Sequence, residues 1–495
     1  AMKLLKDPVF WRSVETATSG PLNIYSLAFP ALLGLKIEYA SARVIGLFLV
    51  LVAVICLYSS LSALYGSTLA RLSIVPVVAT FALMQFDDYV HYTSEHVSLA
   101  ILSAALLIVC QFYSSESTHQ ARKIFGLGLL LGMIPYAKLQ ALPIAAAIIL
   151  IFVHILWQKK IQKSEFFRSI FAFVLGLMLF SWLIFLCLLI FSLSEDFWMS
   201  YVQQNLFYAT QGVTDKPLNF FQKSRQFLEM LSTPNDTKML FLLTGIILIL
   251  GLPFLIKKRG SLSYGTLQSN SFIFVYYSLL IVASAIYSVA KTGSGYTHYL
   301  LFLIVPSGLL IGVFLGELKK IVQSPELICQ SPRVSLLTVS IVAIVAVSFL
   351  QVAESVTSNY YINNRRQYAE NYTSPAAKTI LKYASADESM AIWGWASKLH
   401  VETGIVQAIR DDSTYWQIVP NPRQPYFVRR YRDDLLNSNP KLFIDSISPD
   451  CKYCYFRDKE TRRHENFLEI AKVVSQNYKL VDEVQGIRIY VRNGT

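Results

Sequence analysis

Side chains able to do chemistry are scarce in this chain and fall into four short stretches. The densest is Phe86–His96, FDDYVHYTSEH, where Asp87, Asp88, His91, Glu95 and His96 crowd between two long apolar runs. Carboxylates and imidazoles at that density can grip substrate hydroxyls, pass a proton, or hold a divalent cation such as Mg or Mn on Asp87 and Asp88. The same composition also makes a solvated turn. A second stretch, GMIPYAKLQALP, sets Lys138 and Gln140 between Pro135 and Pro143 inside an otherwise apolar run. A lysine there is costly unless paired or hydrated, so it either contacts an anion such as a phosphate or snorkels to the interface. The third stretch, GSGYTHY, offers Tyr296, His298 and Tyr299, and the fourth sets Asp7 and Glu15 ahead of a Gly-Pro break in TSGPLN.

The elements that must position these residues are membrane helices. The chain of 495 residues is 54% hydrophobic and 15% charged, with a mean hydropathy of +0.44. A soluble protein carries about 25% charge. Several runs reach the ~20 apolar residues that cross a hydrocarbon core: Val44–Leu64, Ser67–Phe86, Val97–Tyr113, Ile170–Leu193, Met239–Ile256, Ser271–Val289, His298–Leu315 and Val334–Val352. Leu22–Leu35 is shorter and contains Pro30, which suits an interfacial helix. Ile124–Trp157 is broken by Pro135 and Pro143 and reads as two shorter helices that enter the membrane and return. Irregular backbone at that depth is tolerated only where protein buries it or it lines a cavity.

The net charge of +12 does not point to nucleic acid, because the basic residues are scattered or flank the apolar runs. Arg122–Lys123, Lys159–Arg168, Lys257–Arg259 and Lys319–Lys320 are expected in the cytoplasm by the positive-inside rule. The opposite face then receives the Phe86–His96 clasp, an external loop over 194–238, the GSGYTHY turn and the C-terminal region. Residues 1–40 fall on that face too, as a first external loop with an interfacial helix. A further transmembrane helix is therefore expected ahead of them. The membrane domain is expected over 41–356 and a soluble α/β domain over 357–495. In the latter, SMAIWGW, KLFIDSI and LVDEVQGIRIYV read as strands, and Pro375–Ser385 and Phe467–Tyr478 as helices. No phosphate-binding glycine loop or catalytic set is evident there. Its CKYC pair, Cys451 and Cys454, has no second ligand pair for zinc and suits a local disulfide outside the cytoplasm.

The acidic residue near the start, the Gly-Pro break, the short surface helix and the Ala-Arg entry to the next span in SARVIG together resemble the GT-C glycosyltransferases. The likeness is to the bacterial dolichyl-phosphate-mannose-mannosyltransferase-like branch that includes the aminoarabinose transferases, and it covers the layout of the whole chain. It implies a polytopic α-helical membrane protein with a small extracytoplasmic α/β domain, in the bacterial inner membrane. It also implies transfer of a sugar, with inversion, from a polyprenyl-phosphate donor to a glycan, lipid or protein acceptor. In that family a carboxylate of the first external loop is the base. Asp7 occupies the matching place, without the acidic neighbour usual there, and Glu15 is the second candidate. Asp87, Asp88, His91, Glu95, His96, Lys138, Gln140, Tyr296 and His298 are the residues expected to bind substrate, with Lys138 and His298 stabilising the departing lipid phosphate.

Three other classes fit parts of the pattern. A transporter or flippase of lipid-linked sugars would share the broken helix, but no inverted repeat is evident and the polar residues gather at one face. An O-antigen polymerase or ligase would show an arginine-rich external loop, whereas Arg225 stands alone in 194–238. A structural scaffold would need none of these charges.

Overall fold

The computed structural model describes residues 1–16, 18–84, 89, 91–115, 120–159, 161–211, 218–232, 235–253, 255–256, 272–322, 340, 342–350, 353 and 373–494. Asp87, Asp88, the Lys257–Arg259 loop and residues 334–339, 341 and 351–352 of the Val334–Val352 run lie outside the described residues. The chain forms two compact units. One comprises Ala1–Ala42, Cys187–Phe207 and Asn364–Thr495; the other comprises Arg43–Leu186 and Tyr208–Asn363.

The larger unit is helical. The helices that build it and lead into it are α1 (Pro21–Leu32), α2 (Tyr39–Tyr65), α3 (Ser67–Leu83), α4 (Glu95–Ser114), α5 (Ala121–Met133), α6 (Leu142–Gln158), α7 (Lys163–Ile190), α8 (Gln204–Gln211), α9 (Phe220–Ser232), α10 (Asn235–Ile246), α11 (Ile273–Ala290) and α12 (Leu301–Val322); α1 itself falls in the other unit, and the division between the units lies within α8, after Phe207. Among the described residues, six helices are long and apolar enough to cross a membrane, or seven if the bent pair Phe220–Ser232 and Thr237–Gly251 is one span. The protein is a multi-pass membrane protein.

Contacts at the helix ends sort the unit into two faces. Lys159, just beyond α6, donates to the carbonyl of Ser115, and Ser114 donates to Ala63 O at 2.9 Å. Lys320 pairs with Glu317 at 2.8 Å, whose carboxylate also accepts from Tyr65 at 3.1 Å. The C-terminal ends of α2, α4, α6 and α12 therefore share one basic face. Glu95, at the other end of α4, meets Lys138 at 2.9 Å. The turn around Lys138 thus reaches the face opposite the basic one. As the sequence predicts for two shorter helices that enter and return, α5 and α6 run from the basic face to the opposite one and back. The break itself is as expected: 3₁₀ turns at Ile134–Tyr136 and Leu139–Ala141 flank an extended Lys138 (φ −156°, ψ 117°). Pro143 occupies the first turn of α6, where its missing N–H costs nothing.

The smaller unit carries a five-stranded sheet in the order β2-β1-β3-β5-β4, built from β1 (Ser389–Trp393), β2 (Val406–Gln407), β3 (Leu442–Asp445), β4 (Tyr478–Val484) and β5 (Ile487–Arg492). β1 runs parallel to β2 and β3, while β5 is antiparallel to β3 and β4. The β4–β5 hairpin turns through Gln485 (φ 51°) and Gly486 (φ 71°), the left-handed pair that matches strand twist. Helices α13 (Gln424–Ser438) and α14 (Leu468–Asn477) complete the unit. Cys451 and Cys454 form a disulfide beside the apolar core of Ile392, Leu442, Ile444 and Ile489. The sequence did not announce β2, whose two residues are too few to show alternation.

Candidate active site

In the membrane unit, five residues singled out from sequence converge. Lys138 Nζ lies 2.9 Å from Glu95 Oε1, donates to Ser94 Oγ at 2.6 Å, and sits 5.2 Å from the centre of the Tyr299 ring. His298 packs edge-on against Tyr299 with ring centres 4.8 Å apart and stacks on Tyr296 at 5.4 Å. His298 is also close enough to act electrostatically on Glu95. The Tyr299 hydroxyl shares a 2.8 Å hydrogen bond with Tyr208. Glu95 and Lys138 are 0% and 6% exposed at the side chain, so each charge is sustained by the other and by the surrounding hydroxyls. Glu95 also gains from its place in the first turn of α4, where the helix dipole favours an anion. Beneath the pair the helices close over a small apolar cavity lined by Leu99, Leu102, Ile144, Ile148, Phe302 and Val305.

The other residues expected at this site have different surroundings. Gln140 donates to Ser288 O at 2.8 Å, tying the helix break to the end of α11. His96 is buried, stacks on Tyr92, and holds Thr93 through Nδ1, which accepts from the backbone N–H at 3.1 Å and lies 3.0 Å from Oγ1. Its ring closes the turn that starts α4. His91 is exposed. Asp87 and Asp88, the expected metal ligands, lie outside the described residues.

The smaller unit holds the two candidate bases in contrasting settings. Asp7 makes a bidentate pair with Arg12, at 2.6 and 3.0 Å, and accepts from the Val9 N–H at 3.2 Å. The hydrogen bond from the guanidinium holds its carboxyl below the usual range despite some desolvation. About a third of the Asp7 side chain stays open, 32%, against 3% for Glu15. Glu15 is locked in: Oε2 accepts from Arg430 Nη2 at 2.7 Å, and its N–H donates to Arg410 O at 2.7 Å. The same Arg430 nitrogen serves Asp411. Arg410 bridges Asp196 at 3.0 Å and Asp434 at 2.8 Å, and Tyr426 donates to Asp196 at 2.6 Å. Burial, more than the neighbouring Glu15 charge, pushes the Asp411 carboxyl up against the pull of Arg430. This network fastens the N-terminal segment to α13. Nothing in the local sequence marked Arg430 out, because its partner Glu15 lies 415 residues away.

Among the described residues one cluster has metal-ligand spacing, Asp445, His464 and Glu465. His464 Nδ1 and Asp445 Oδ2 are 2.5 Å apart, a hydrogen-bond separation tighter than two ligands keep around one ion. Arg488 neutralises Glu465 at 2.5 Å. The cluster is a hydrogen-bonded ion-pair network, and it does not fit a metal.

No family model matches the sequence, and no curated protein is detectably similar to it. Solved structures do match. One is ArnT from Cupriavidus metallidurans, whose crystal structure contains undecaprenyl phosphate; it superposes with a TM-score of 0.54 over 98% of this chain and 89% of that one, at 10% identity. At that identity the likeness is one of fold, and it spans both units. The chain is a multi-pass membrane protein that shares the fold of ArnT.

Proposed function

We propose that this protein is a polyprenyl-phosphate-dependent glycosyltransferase acting on the extracytoplasmic face of a bacterial inner membrane. The observation that carries the reading is the near full-length fold likeness to a protein crystallised with undecaprenyl phosphate. A buried lysine and a histidine, gathered on the face away from the basic helix ends, add to it. By the positive-inside rule that face is extracytoplasmic.

In this reading the donor's phosphate takes over Lys138 from Glu95, with His298 as a second donor, in a setting dry enough to give each contact weight. An acceptor hydroxyl oxygen, on a glycan, lipid or protein, forms a bond to the anomeric carbon from the side opposite the phosphate. The bond from that carbon to the phosphate oxygen breaks, and the phosphate leaves with its electron pair. The hydroxyl proton passes to a carboxylate of the first external loop. Of the two candidates Asp7 is preferred, because Glu15 is committed to Arg430. The single displacement inverts the anomeric centre.

The test uses the purified full chain in detergent and in proteoliposomes. Undecaprenyl phosphate is expected to raise the melting temperature of the parent protein and to lose that effect in Lys138→Gln. Asp7→Asn is expected to reduce sugar transfer from a polyprenyl-phosphate donor by about 100-fold or more, the scale of general base catalysis. Full transfer by both variants would remove this site assignment. Movement of the donor lipid across the vesicle without transfer would identify a transporter instead.

A further inference from the structure

Helix α9 has three edges of different chemistry. Phe220, Phe221 and Leu228 lie along one edge and are 76%, 81% and 64% exposed. A second edge carries Arg225 and Glu229, paired at 2.8 Å and open to solvent. The third faces the membrane unit. There Met230 is buried, and Lys223 Nζ donates to Lys291 O at 2.6 Å. With its amide turned to satisfy both neighbours, Gln226 donates to Gly293 O at 2.6 Å and accepts from Gly295 N–H at 3.2 Å. Those contacts fall on the Gly293–Gly295 turn, where both glycines have positive φ, 59° and 69°. A Cβ on Gly295 would lie 2.5 Å from the Gln226 side chain.

The position of α9 is therefore fixed by the turn between α11, a spanning helix, and α12. Lys291 directly follows α11, so α9 sits at the height where that helix leaves the membrane. It makes an angle of 117° with the apolar segment Thr237–Gly251, closer to perpendicular than to parallel. A helix lying across the end of a bundle, with one edge on protein and one in water, has only lipid left for the remaining apolar edge. Two adjacent phenylalanines with that exposure form a surface that water would not stabilise.

We propose that α9 is an interfacial helix whose Phe220–Phe221–Leu228 edge is seated in the bilayer, at the boundary between headgroups and acyl chains, while its opposite edge holds the turn that carries Tyr296 and His298. Such helices sink about 5–10 Å into this boundary. The occupant of the exposed edge is bulk lipid, and the inference stands whether or not the protein transfers a sugar.

The experiment places one additional tryptophan at Phe221 (Phe221→Trp) or at Glu229 (Glu229→Trp) of the full chain. Each variant is reconstituted in phosphatidylcholine vesicles with or without acyl-chain bromination, and the parent protein's fluorescence is subtracted. Tryptophan at 221 is expected to be quenched by brominated lipid at least roughly twofold more than tryptophan at 229, as an interfacial helix with one wet edge requires. Equal quenching at both sites, or stronger quenching at 229, overturns the proposal. Leu228→Trp, on the same edge as Phe221, repeats the measurement if Phe221→Trp is not recovered folded.

Discussion

Glu95 and Lys138 show how a charge survives inside an apolar bundle. Each is an expensive group to bury, and each is made tolerable by the other at 2.9 Å, with Ser94 accepting a second lysine proton. Removing one partner leaves the other uncompensated, which typically costs about 3–5 kcal/mol. Glu95→Gln is expected to lower the melting temperature of the detergent-solubilised protein by several degrees. The double variant Glu95→Gln/Lys138→Met should recover part of that loss, since it removes the stranded charge. A Glu95→Gln protein as stable as the parent would mean that Lys138 is hydrated, and the dry-site argument would fail. Arg430 follows the same logic in the other unit, where a single guanidinium nitrogen serves both Glu15 and Asp411.

At the scale of elements, α5 and α7 cross so closely that glycine is required between them. A Cβ on Gly128 would lie 2.1 Å from the Phe173 carbonyl oxygen, and one on Gly176 would lie 2.2 Å from that of Phe125. Small residues at such crossings let membrane helices meet backbone to backbone. Gly126, two residues away on α5, has nothing within 4 Å of its Cβ position. Gly128→Ala is expected to destabilise the protein by about 1–3 kcal/mol through forced separation of the helices. Gly126→Ala should be neutral, or stabilising by roughly 0.5–1 kcal/mol through its better helix propensity. Thermal melts of the two variants side by side test the crossing. The pair matters for the proposed site because α5 delivers Lys138 to the opposite face.

For the whole molecule, one end of the membrane unit collects Lys159, Lys320 and the C-terminal ends of four helices, and the other collects Glu95, Lys138, Tyr296 and His298. The positive-inside rule assigns the first end to the cytoplasm. A membrane-impermeant maleimide added to intact cells should label a cysteine placed at exposed His91 and spare one placed at exposed Lys163, in a background without free cysteines. The reverse pattern would invert the orientation and with it the proposed side of transfer. The Cys451–Cys454 disulfide agrees with an oxidising compartment for the smaller unit.

Much of this architecture was legible in the chain. Hydrophobic length marks a span, two prolines around a lysine mark a break, and clustered lysines mark a helix end, because each depends only on residues close in sequence. The α4, α6 and α11 boundaries and the β4–β5 hairpin follow from such local rules. The break in Ile124–Trp157 was legible too, since Pro135, Lys138 and Pro143 lie close together in the chain. Partnership was not legible. Lys138 could have paired with any external carboxylate, and Glu15 with any cation. The register of packed helices selected Glu95 for one, and an arginine 415 residues away for the other. Tyr208 joined Tyr299 for the same reason. Residue types and their order determined that this is a membrane protein with a polar layer on one face. Only tertiary packing, which brings distant residues within hydrogen-bond range, decided which members of that layer form a site.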